Sequence, residues 1–300
     1  MSMKLAVFGR TLPEEVLELI QSLFDFFTER RIDVFCEEDY LKLLLEKNVQ
    51  ISCSETFKTH RDLMNLNPDF LISIGGDGTL LHTVPLIRDS EMPVLGIHTG
   101  RMGFLTGINK DELFPALEDF VEKKFRIEKR LLMHLETDSD VFRDLNFALN
   151  DVCIHRDEKC STIGIHVKIN GEDLTTFWAD GLIIATPSGS TAYSLACGGP
   201  ILMPQSQTWV LTPIAPHNLT VRPLVIPANS GLEITVESRS GYFYLGLDAQ
   251  VKLVQDFTKI HITKEVFNFN TLHFKPESFS RLIQEKLFWG RDKRNLGKNY

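Results

Sequence analysis

One aspartate in this chain is enclosed by glycines at the end of an apolar run. The stretch FLISIGGDGTLLHT, residues 70–83, places Asp77 after two glycines and before a third. Glycines let backbone N–H groups approach an anion closely, and the start of a helix favours negative charge. The residues predicted to bind phosphate are the glycines of this turn and the threonine after it: Gly75, Gly76, Gly78 and Thr79. The turn matches neither the P-loop pattern nor the G-x-G-x-x-G dinucleotide fingerprint.

Two interpretations of Asp77 are open at this stage. Aspartate is among the best residues at a helix N-cap, where it contributes about 1 kcal/mol. Alternatively, a carboxylate beside bound phosphates orients an attacking hydroxyl group and accepts its proton, as in a phosphotransferase. Capping would not require glycines on both sides, so the pattern favours the catalytic interpretation.

A second segment, ADGLIIATPSGSTAYSLACGGPI (179–201), joins an acidic residue, an apolar strand and a loop rich in hydroxyl groups. Asp180 precedes the strand. The hydroxyl-bearing residues of the loop are Thr186, Ser188, Ser190, Thr191 and Tyr193. Such a loop suits ribose hydroxyls and phosphate oxygens, and the ring of Tyr193 can stack on a base. The alternative is an ordinary β-turn, since Thr-Pro-Ser-Gly is good turn chemistry. The length of the small and hydroxyl-bearing stretch favours a ligand site.

A third segment, ALNDVCIHR, holds Asn150 and Asp151 within a strand-like run. Adjacent side chains of a strand point to opposite faces, so at least one of the two enters a buried layer. A turn or a ligand must then satisfy its polar atoms. By itself this pair is a weak signal.

The composition indicates a folded protein with acidic character. The chain has 300 residues, of which 43% are hydrophobic and 24% charged, enough for one large domain or two ordinary ones. The net charge of -8 argues against a nucleic-acid backbone or an anionic membrane as the main partner. Pro13 and the glutamates after it interrupt any signal peptide, and no apolar run reaches about 18 residues. We therefore expect a cytoplasmic protein.

The cysteines show neither a disulfide nor a metal-binding pattern. The five cysteines are odd in number and include no CxxC pair: Cys36, Cys53, Cys153, Cys160 and Cys197. Free thiols are expected rather than a disulfide framework or a zinc site.

Strand and helix signals alternate in the first part of the chain. The apolar runs KLAVFG, IDVFCE, DFLISIG and VLGIHTG are typical of strands buried in a parallel sheet. Helical spacing follows Pro13 and recurs in DYLKLLLEK and in DELFPALEDFVEKKF, which has Asp111 and Glu112 in its predicted first turn. This alternation predicts an open, mostly parallel α/β sheet over residues 1–125.

After about Arg126 the pattern changes to short β-rich runs separated by Gly, Asn, Asp and Pro. Such runs predict an all-β, sandwich-like domain over residues 126–274. The tail, SFSRLIQEKLFWG, is helical again, and residues 275–300 are expected to pack back on the N-terminal domain.

Together these segments resemble the NAD kinase family, whose members phosphorylate NAD to NADP. The resemblance rests on motifs that occur in order along most of the chain: GGDGT, GIHTGRMGFLT (96–106), ALND, the DG before TPSGSTAYSLACGGPI, and HNLTVRPLVIP (217–227). GGDGT alone is shared with diacylglycerol, sphingosine and phosphofructokinase-type kinases, whereas the TPSGSTAY segment is much more specific.

The resemblance assigns roles to individual residues. It implies that Asp77 is the general base toward the adenosine 2′-hydroxyl group and that Gly78 lines the NAD site. Asn150 and Asp151 occupy the positions of an Asn-Glu pair. Further implied NAD contacts are Asp180, Ser188, Thr191, Ala192, Tyr193, Ala196, Ala215 and Gln250. Ala196 stands where many relatives have serine, and Ala249 where many have glycine. His82 is a further NAD contact, or alternatively an exposed or internally satisfied histidine.

The function that follows is transfer of the γ-phosphoryl group of ATP to the 2′-hydroxyl of NAD, with Mg²⁺ on the donor phosphates. No set of Asp, Glu and His residues forms an evident metal site, so the phosphates and water are expected to hold the ion. The resemblance implies a homodimer or homotetramer in which a neighbouring subunit completes the NAD site. Two alternatives are a lipid or sugar kinase of the GGDGT type and a non-catalytic dinucleotide-binding sensor.

Overall fold

The computed structural model describes residues 3–100, 103–105, 107–108, 110–158, 162–274 and 279–289. The chain divides into two compact units: Met1–Glu128 with Asn270–Tyr300, and Lys129–Phe269. Outside the described residues lie three residues of GIHTGRMGFLT, one cysteine and parts of the tail: Arg101, Met102, Thr106, Cys160, 275–278 and 290–300.

The first unit is built on a parallel sheet. Its strands are β1 (Lys4–Gly9), β2 (Asp33–Glu37), β3 (Glu55–Phe57), β4 (Phe70–Gly75) and β5 (Val94–His98). They lie in the order β5-β4-β1-β2-β3, and every pair along this path is parallel. The α-helices between these strands and after β5 are α1 (Leu17–Glu29), α2 (Glu38–Glu46), α3 (His60–Leu66), α4 (Asp77–Leu81), α5 (Val84–Ile87) and α6 (Leu113–Val121).

Apolar residues at helical and strand spacing form the core of this unit. Helix α1 buries Ile20, Leu23 and Phe27 on one face, and these side chains belong to the same apolar cluster as Leu5 of β1 and Ile72 of β4. Since α/β crossovers cover both faces of a parallel sheet, strands without polar alternation are what this fold requires. The predicted α/β class is confirmed.

Some element bounds differ from those that the sequence predicts. Residues Lys110–Glu112 form a 3-10 turn, so Asp111 and Glu112 precede α6 rather than lie in its first turn. The helix ends at Val121, and Lys123 just beyond it adopts a φ of 58°, which an α-helix cannot continue. Strand β3 and helix α3 were not predicted. A capping box between Thr59 and Asp62 starts α3 and is visible in the sequence.

The second unit is all-β apart from short helical segments. Its strands are β6 (Arg126–Thr137), β7 (Phe147–Ala148), β8 (Asp151–Arg156), β9 (Ile163–Ile169), β10 (Glu172–Ala179), β11 (Gly181–Ala185), β12 (Thr208–Ile214), β13 (Leu224–Pro227), β14 (Leu232–Ser238), β15 (Tyr242–Leu247), β16 (Gln250–Gln255) and β17 (Ile260–His273). The residues of β6 up to Glu128 and those of β17 from Asn270 belong to the first unit.

These strands form two antiparallel layers. Sheet I contains β10-β9-β14-β17 in that order, with β6 beside β17 and β7 beside β6. Sheet II has the order β13-β12-β11-β8-β15-β16. Ile165 and Ile234 of sheet I share one buried cluster with Ile154 and Ile184 of sheet II, as in a sandwich. The predicted all-β class of this part is confirmed.

Two further helices lie in the C-terminal half of the chain. Helix α7 (Tyr193–Ala196) follows the 3-10 turn Gly189–Thr191, so the segment predicted as a loop is partly helical. Helix α8 (Phe279–Leu287) belongs to the first unit, where the ring of Phe279 lies 6.4 Å from that of Phe104. The predicted return of the C-terminal helix to the N-terminal domain is confirmed.

Candidate functional site

The glycine turn of the first unit lies at the carboxyl end of β4. Gly75 ends the strand with a φ of 153°, and a Cβ atom at this position would lie 2.3 Å from Oγ1 of Thr79. Gly76 is the N-cap residue of α4, and a Cβ atom at Gly78 would meet no atom within 4 Å. Ligands of open α/β sheets bind at the carboxyl ends of the strands. The turn is therefore in the position expected of a phosphate-binding segment.

Asp77 is not the helix cap. It is the first residue of α4, and its side chain makes no capping hydrogen bond. Instead, its carboxylate accepts the backbone N–H groups of Phe104 (2.6 Å) and Leu105 (3.1 Å), one on each oxygen. A Cβ atom at Gly103 would lie 1.8 Å from this carboxylate, so the loop approaches Asp77 more closely than any other residue type would allow. A carboxylate is an acceptor of hydrogen bonds, which suits a hydroxyl group of a ligand.

His82 and Arg10 are in contact beside this turn. Nη1 of Arg10 hydrogen-bonds Nε2 of His82, which is the C-cap residue of α4. Burial, and then the positive charge of Arg10, lower the pKa of His82, so the neutral ring accepts a hydrogen bond from the guanidinium group. Arg10 follows β1, which runs parallel to β4 with Gly9 opposite Ile74, and so it lies at the same edge of the sheet.

Arg10 was not predicted from the sequence, although an arginine directly after the first strand was the available signal. It lines a cavity of about 270 Å³ with residues from the ends of β1 and β2 and the start of α2: Phe8, Gly9, Glu37, Asp39 and Tyr40. The Glu37 carboxylate accepts the backbone N–H of Tyr40 at 2.8 Å. Arg10 thus brings positive charge to an edge that already has the glycine turn.

His98 is a further residue that sequence reasoning did not single out. It ends β5, is 3% exposed, and its Nδ1 atom lies 3.4 Å from the carbonyl oxygen of Gly75. Burial is the largest cause of its lowered pKa. The buried Nε2 atom makes no hydrogen bond with any residue that the structure describes. His98 therefore contacts the backbone of the glycine turn as a buried, neutral ring.

In the second unit, sheet II brings most of the predicted contacts to one end. Asp151 pairs with Ala185, the last residue of β11, and Val152 pairs with Leu247, the last residue of β15. The start of β8, the loop after β11 and the turn before β16 therefore meet. The predicted contacts in these segments are Asn150, Asp151, Ser188, Thr191, Ala192, Tyr193, Ala196 and Gln250.

Asp248, which the sequence did not single out, holds the Asn150 segment. Its carboxylate accepts the backbone N–H groups of Leu149 (2.8 Å), Asn150 (2.8 Å) and Asp151 (3.1 Å). Burial raises the pKa of Asp248 to about 6, against the opposing effect of the three N–H groups. Burial, and then the charge of Asp248, raise the pKa of Asp151 to about 7.

The hydroxyl groups of the TPSGSTAY segment are not equally available to a ligand. Thr186 is fully buried and donates to the carbonyl oxygen of Leu149 at 2.6 Å. Ser190 is also fully buried and donates to the carbonyl oxygen of Pro187 at 2.7 Å. The expectation that these two hydroxyls suit a ligand is therefore wrong, because both are used within the protein. Tyr193, by contrast, is 45% exposed.

The remaining predicted side chains of this segment vary in exposure. Ser188 is buried, and its carbonyl oxygen accepts a hydrogen bond from the Thr191 hydroxyl at 3.1 Å. Thr191 and Ala192 are partly buried, whereas Ala196 is exposed. The exposed surface that this segment offers thus lies mainly on α7.

Asp180 and Ala215 lie at the opposite end of sheet II. Gly181 at the start of β11 pairs with His155 and with Ile214 at the end of β12. The carboxylate of Asp180 accepts a hydrogen bond from Nε of Arg156 at 2.9 Å. Ala215 is exposed and adopts a φ of 45°. The five residues of β11 separate this end from Thr186 by roughly 15–20 Å, at about 3.3 Å per residue. The fold therefore does not bring these two residues together with Asn150.

Within the residues that the structure describes, no group of three or more His, Cys, Asp or Glu side chains could hold a metal ion. None of the helices that the structure describes is long and apolar enough to cross a membrane.

Comparison of the fold with solved structures defines the class of protein. The chain is similar to yeast NADH kinase, solved in complex with NADH, with a TM-score of 0.86 at 24% identity over 97% of this chain and 89% of that one. It is also similar to an NAD kinase from Archaeoglobus fulgidus, solved in complex with ATP, with a TM-score of 0.72 at 24% identity over 95% and 99% of the two chains. The fold is that of the NAD and NADH kinases.

Sequence comparison then gives the family. Residues 5–125 match the family model of the ATP-NAD kinase N-terminal domain, and residues 149–274 match that of the ATP-NAD kinase C-terminal domain. The chain is 41% identical to an NAD kinase of Flavobacterium psychrophilum over 295 residues, which are 98% of this chain and 100% of the relative. The chain belongs to the ATP-NAD kinase family.

Proposed function

We propose that the chain is an NAD kinase, which transfers the γ-phosphoryl group of ATP to the 2′-hydroxyl group of the adenosine ribose of NAD. The observation that carries this proposal is the carboxylate of Asp77, fixed by two backbone N–H groups within a glycine turn at the carboxyl end of β4. Membership of the family supplies the two substrates.

Asp77 acts as the general base. Its carboxylate aligns the 2′-hydroxyl group by accepting its hydrogen bond and takes the proton late, as charge moves to the departing β-phosphate of ADP. The glycine turn with the threonine after it, Gly75, Gly76, Gly78 and Thr79, binds phosphate oxygens at the start of α4. Arg10 contributes a positive charge toward the triphosphate, and its contact with His82 holds it at that edge of the sheet. Orientation and charge stabilisation supply most of the rate gain.

The NAD contacts in the first unit are Asp77, Gly78 and His82. In the second unit they are Asn150, Asp151, Ser188, Thr191, Ala192, Tyr193, Ala196 and Gln250, supported by their position at one end of sheet II. The amide oxygen of Asn150 is buried and has no hydrogen-bond partner among the described residues, which suits a donor from the nucleotide.

Asp180 and Ala215 contact NAD bound to a second copy of the chain. Their separation from Asn150 along β11 supports this assignment, because one nucleotide segment does not reach both ends of the sheet. The protein is therefore proposed to work as a homodimer or homotetramer. Its proposed location is the cytoplasm.

The divalent ion enters as part of the MgATP substrate. Since the described residues form no cluster that could hold a metal ion, the triphosphate oxygens and water are proposed to hold it.

The lipid or sugar kinase alternative is not favoured. A kinase that shares only GGDGT would leave residues 149–274 unexplained, whereas this region matches the ATP-NAD kinase C-terminal domain. A non-catalytic sensor would bind NAD and leave ATP intact.

The proposed function is tested by incubating the purified protein with NAD and MgATP and detecting NADP with an NADP-specific dehydrogenase. We expect NADP and ADP to appear in equal amounts. NAD binding by calorimetry without NADP formation, with different phosphoryl donors and divalent metals, would instead establish the sensor.

A further inference from the structure

The peptide segment Leu149–Asp151 is held from two sides. On one side, the three consecutive N–H groups of this segment point to the carboxylate of Asp248. On the other side, the hydroxyl group of Thr186 donates to the carbonyl oxygen of Leu149 at 2.6 Å, and the backbone N–H of Thr186 donates to that of Asn150 at 2.9 Å. Both faces of the Leu149–Asn150 peptide are thereby fixed.

The space around this segment leaves little freedom for movement. A Cβ atom at Gly189 would lie 2.1 Å from the carbonyl oxygen of Asn150, so the backbones of the two segments are in direct contact. The side chain of Asn150 is buried, and its amide oxygen has no partner within the described part of the chain. A buried acceptor without a donor is useful to a ligand only when its backbone is held still.

Asp248 is suited to this task by its conformation and chemistry. It lies in the turn between β15 and β16 with a φ of 49°, a left-handed conformation that aspartate tolerates better than most residues. Its own N–H donates to the carbonyl oxygen of Asp151 at 3.0 Å. An ionised carboxylate accepts hydrogen bonds on both oxygens, whereas the NH₂ group of an asparagine would face one of the N–H donors.

We infer that Asp248 is a positioning residue of the NAD site, which holds Asn150 and Asp151 in the geometry that binds the nucleotide. The inference rests on the proposed function. Asp248 acts through the backbone of residues 149–151 and makes no contact with NAD itself in this account. The same turn leads into Gln250, so one hairpin both fixes the Asn150 segment and supplies a nucleotide contact.

The charges of the neighbouring carboxyls agree with this role. The three N–H groups lower the pKa of Asp248 and oppose the effect of burial, whereas burial and the charge of Asp248 both raise the pKa of Asp151. Of the two groups, Asp248 therefore keeps its negative charge to lower pH, as an acceptor of three N–H groups must.

The test is the variant Asp248→Asn, measured by steady-state kinetics and by calorimetric titration with NAD. The KM for NAD should rise by roughly 10- to 100-fold, the equivalent of one hydrogen bond to a charged group, with the KM for ATP unchanged within about twofold. Thr186→Val, which removes the hydroxyl bond to Leu149 and keeps the side-chain volume, should shift the same constant in the same direction.

Glu265→Gln is the matched control. Glu265 is also a buried carboxylate of the second unit, and it accepts hydrogen bonds from the backbone of Val266 and the ring of His134. Its substitution should lower the melting temperature without raising the KM for NAD. A role of Asp248 in stability alone would make Asp248→Asn behave like this control, and that result would overturn the inference.

The two proposals fail in different ways. Wild-type protein that binds NAD but forms no NADP would contradict the kinase, while weaker NAD binding by Asp248→Asn would still support the positioning role. Unchanged NAD binding by Asp248→Asn would contradict the positioning role and leave the kinase intact. If Asp248→Asn does not fold, Thr186→Val decides: equal KM values for wild type and this variant overturn the inference.

Discussion

Arg10 and His82 show how a single contact can place charge at a site. The neutral imidazole accepts a hydrogen bond from the guanidinium group and so holds Arg10 at the edge where β4 ends. Burial beside a positive charge lowers the pKa of His82, which keeps the ring an acceptor at neutral pH. In a chain with a net charge of -8, a fixed cation at this edge would attract the negatively charged triphosphate of the proposed reaction.

Replacement of Arg10 should therefore weaken the binding of ATP more than that of NAD. We expect Arg10→Gln to raise the KM for ATP by about 10-fold or more, the loss of one charge-assisted hydrogen bond. The control is Arg30→Gln, which removes one positive charge at the far end of α1, where Arg30 pairs with Glu118. An equal effect of the two substitutions in steady-state kinetics would show that only net charge matters.

Asp151 makes the stability of the protein depend on pH. Its pKa is about 7 in the folded protein against an ordinary value of 3.8 for aspartate, so the folded state holds the proton more tightly than the unfolded state. The contribution of Asp151 to stability is thus present at low pH and is lost as the pH rises from about 4 to about 7.

Asp151→Asn should remove this loss, because asparagine cannot ionise. The unfolding free energy of the variant minus that of wild type should increase by at least about 1 kcal/mol from pH 5 to pH 8, the equivalent of roughly one pKa unit. Urea unfolding at both pH values gives the difference. The same difference at pH 5 and pH 8 would mean that Asp151 ionises normally in the folded protein.

At the scale of elements, the loop 103–105 holds the carboxylate of Asp77, the proposed general base. The backbone of Phe104 and Leu105 donates to Asp77, and only glycine fits at position 103. A methyl group there must displace either the loop or the carboxylate. The precision of the site thus depends on a residue without a side chain.

Gly103→Ala should reduce kcat by roughly 10²-fold, the cost of about 1 Å of misplacement at a reacting group. Gly100→Ala is the control, since a Cβ atom at Gly100 meets nothing within 4 Å. The melting temperatures of both variants should stay close to that of wild type. A kcat for Gly103→Ala equal to that of Gly100→Ala would show that the loop does not orient Asp77.

Much of the element order and of the candidate site could be predicted from the chain itself. Continuous apolar runs indicated the parallel strands, and the glycines around Asp77 indicated the tight turn between β4 and α4. Hydrogen-bond partners far apart in sequence could not be predicted. Asp248 bonds to N–H groups nearly 100 residues away, and the Thr186 hydroxyl bonds to Leu149 rather than to a ligand. A list of polar residues does not reveal which of them the protein uses internally.

At the scale of the whole molecule, sheet II separates Asp180 and Ala215 from the other predicted NAD contacts of its unit. In the proposed oligomer, each NAD site takes Asp77 from one copy and Asp180 from another. In a mixed oligomer, a copy that lacks Asp77 and a copy that lacks Asp180 can therefore leave one site with both residues intact.

This arrangement predicts complementation between inactive variants. Asp77→Asn and Asp180→Ala should each have low activity alone, whereas their co-expression should restore activity at about a quarter of the sites of a twofold dimer. Sedimentation would verify that the co-expressed chains form an oligomer. Activity no higher than that of the separate variants would place Asp77 and Asp180 in the site of one chain.

The most direct measurement of the central claim is the rate of NADP formation by Asp77→Asn with both substrates saturating. Asp69→Asn, at the other end of β4 where the carboxylate accepts the backbone N–H of Lys4, is the control. We predict that wild type and Asp69→Asn form NADP at similar rates and that Asp77→Asn is slower by roughly 10²- to 10⁴-fold, with an unchanged melting temperature. NADP formation by Asp77→Asn at the wild-type rate would contradict the assignment of Asp77 as the general base.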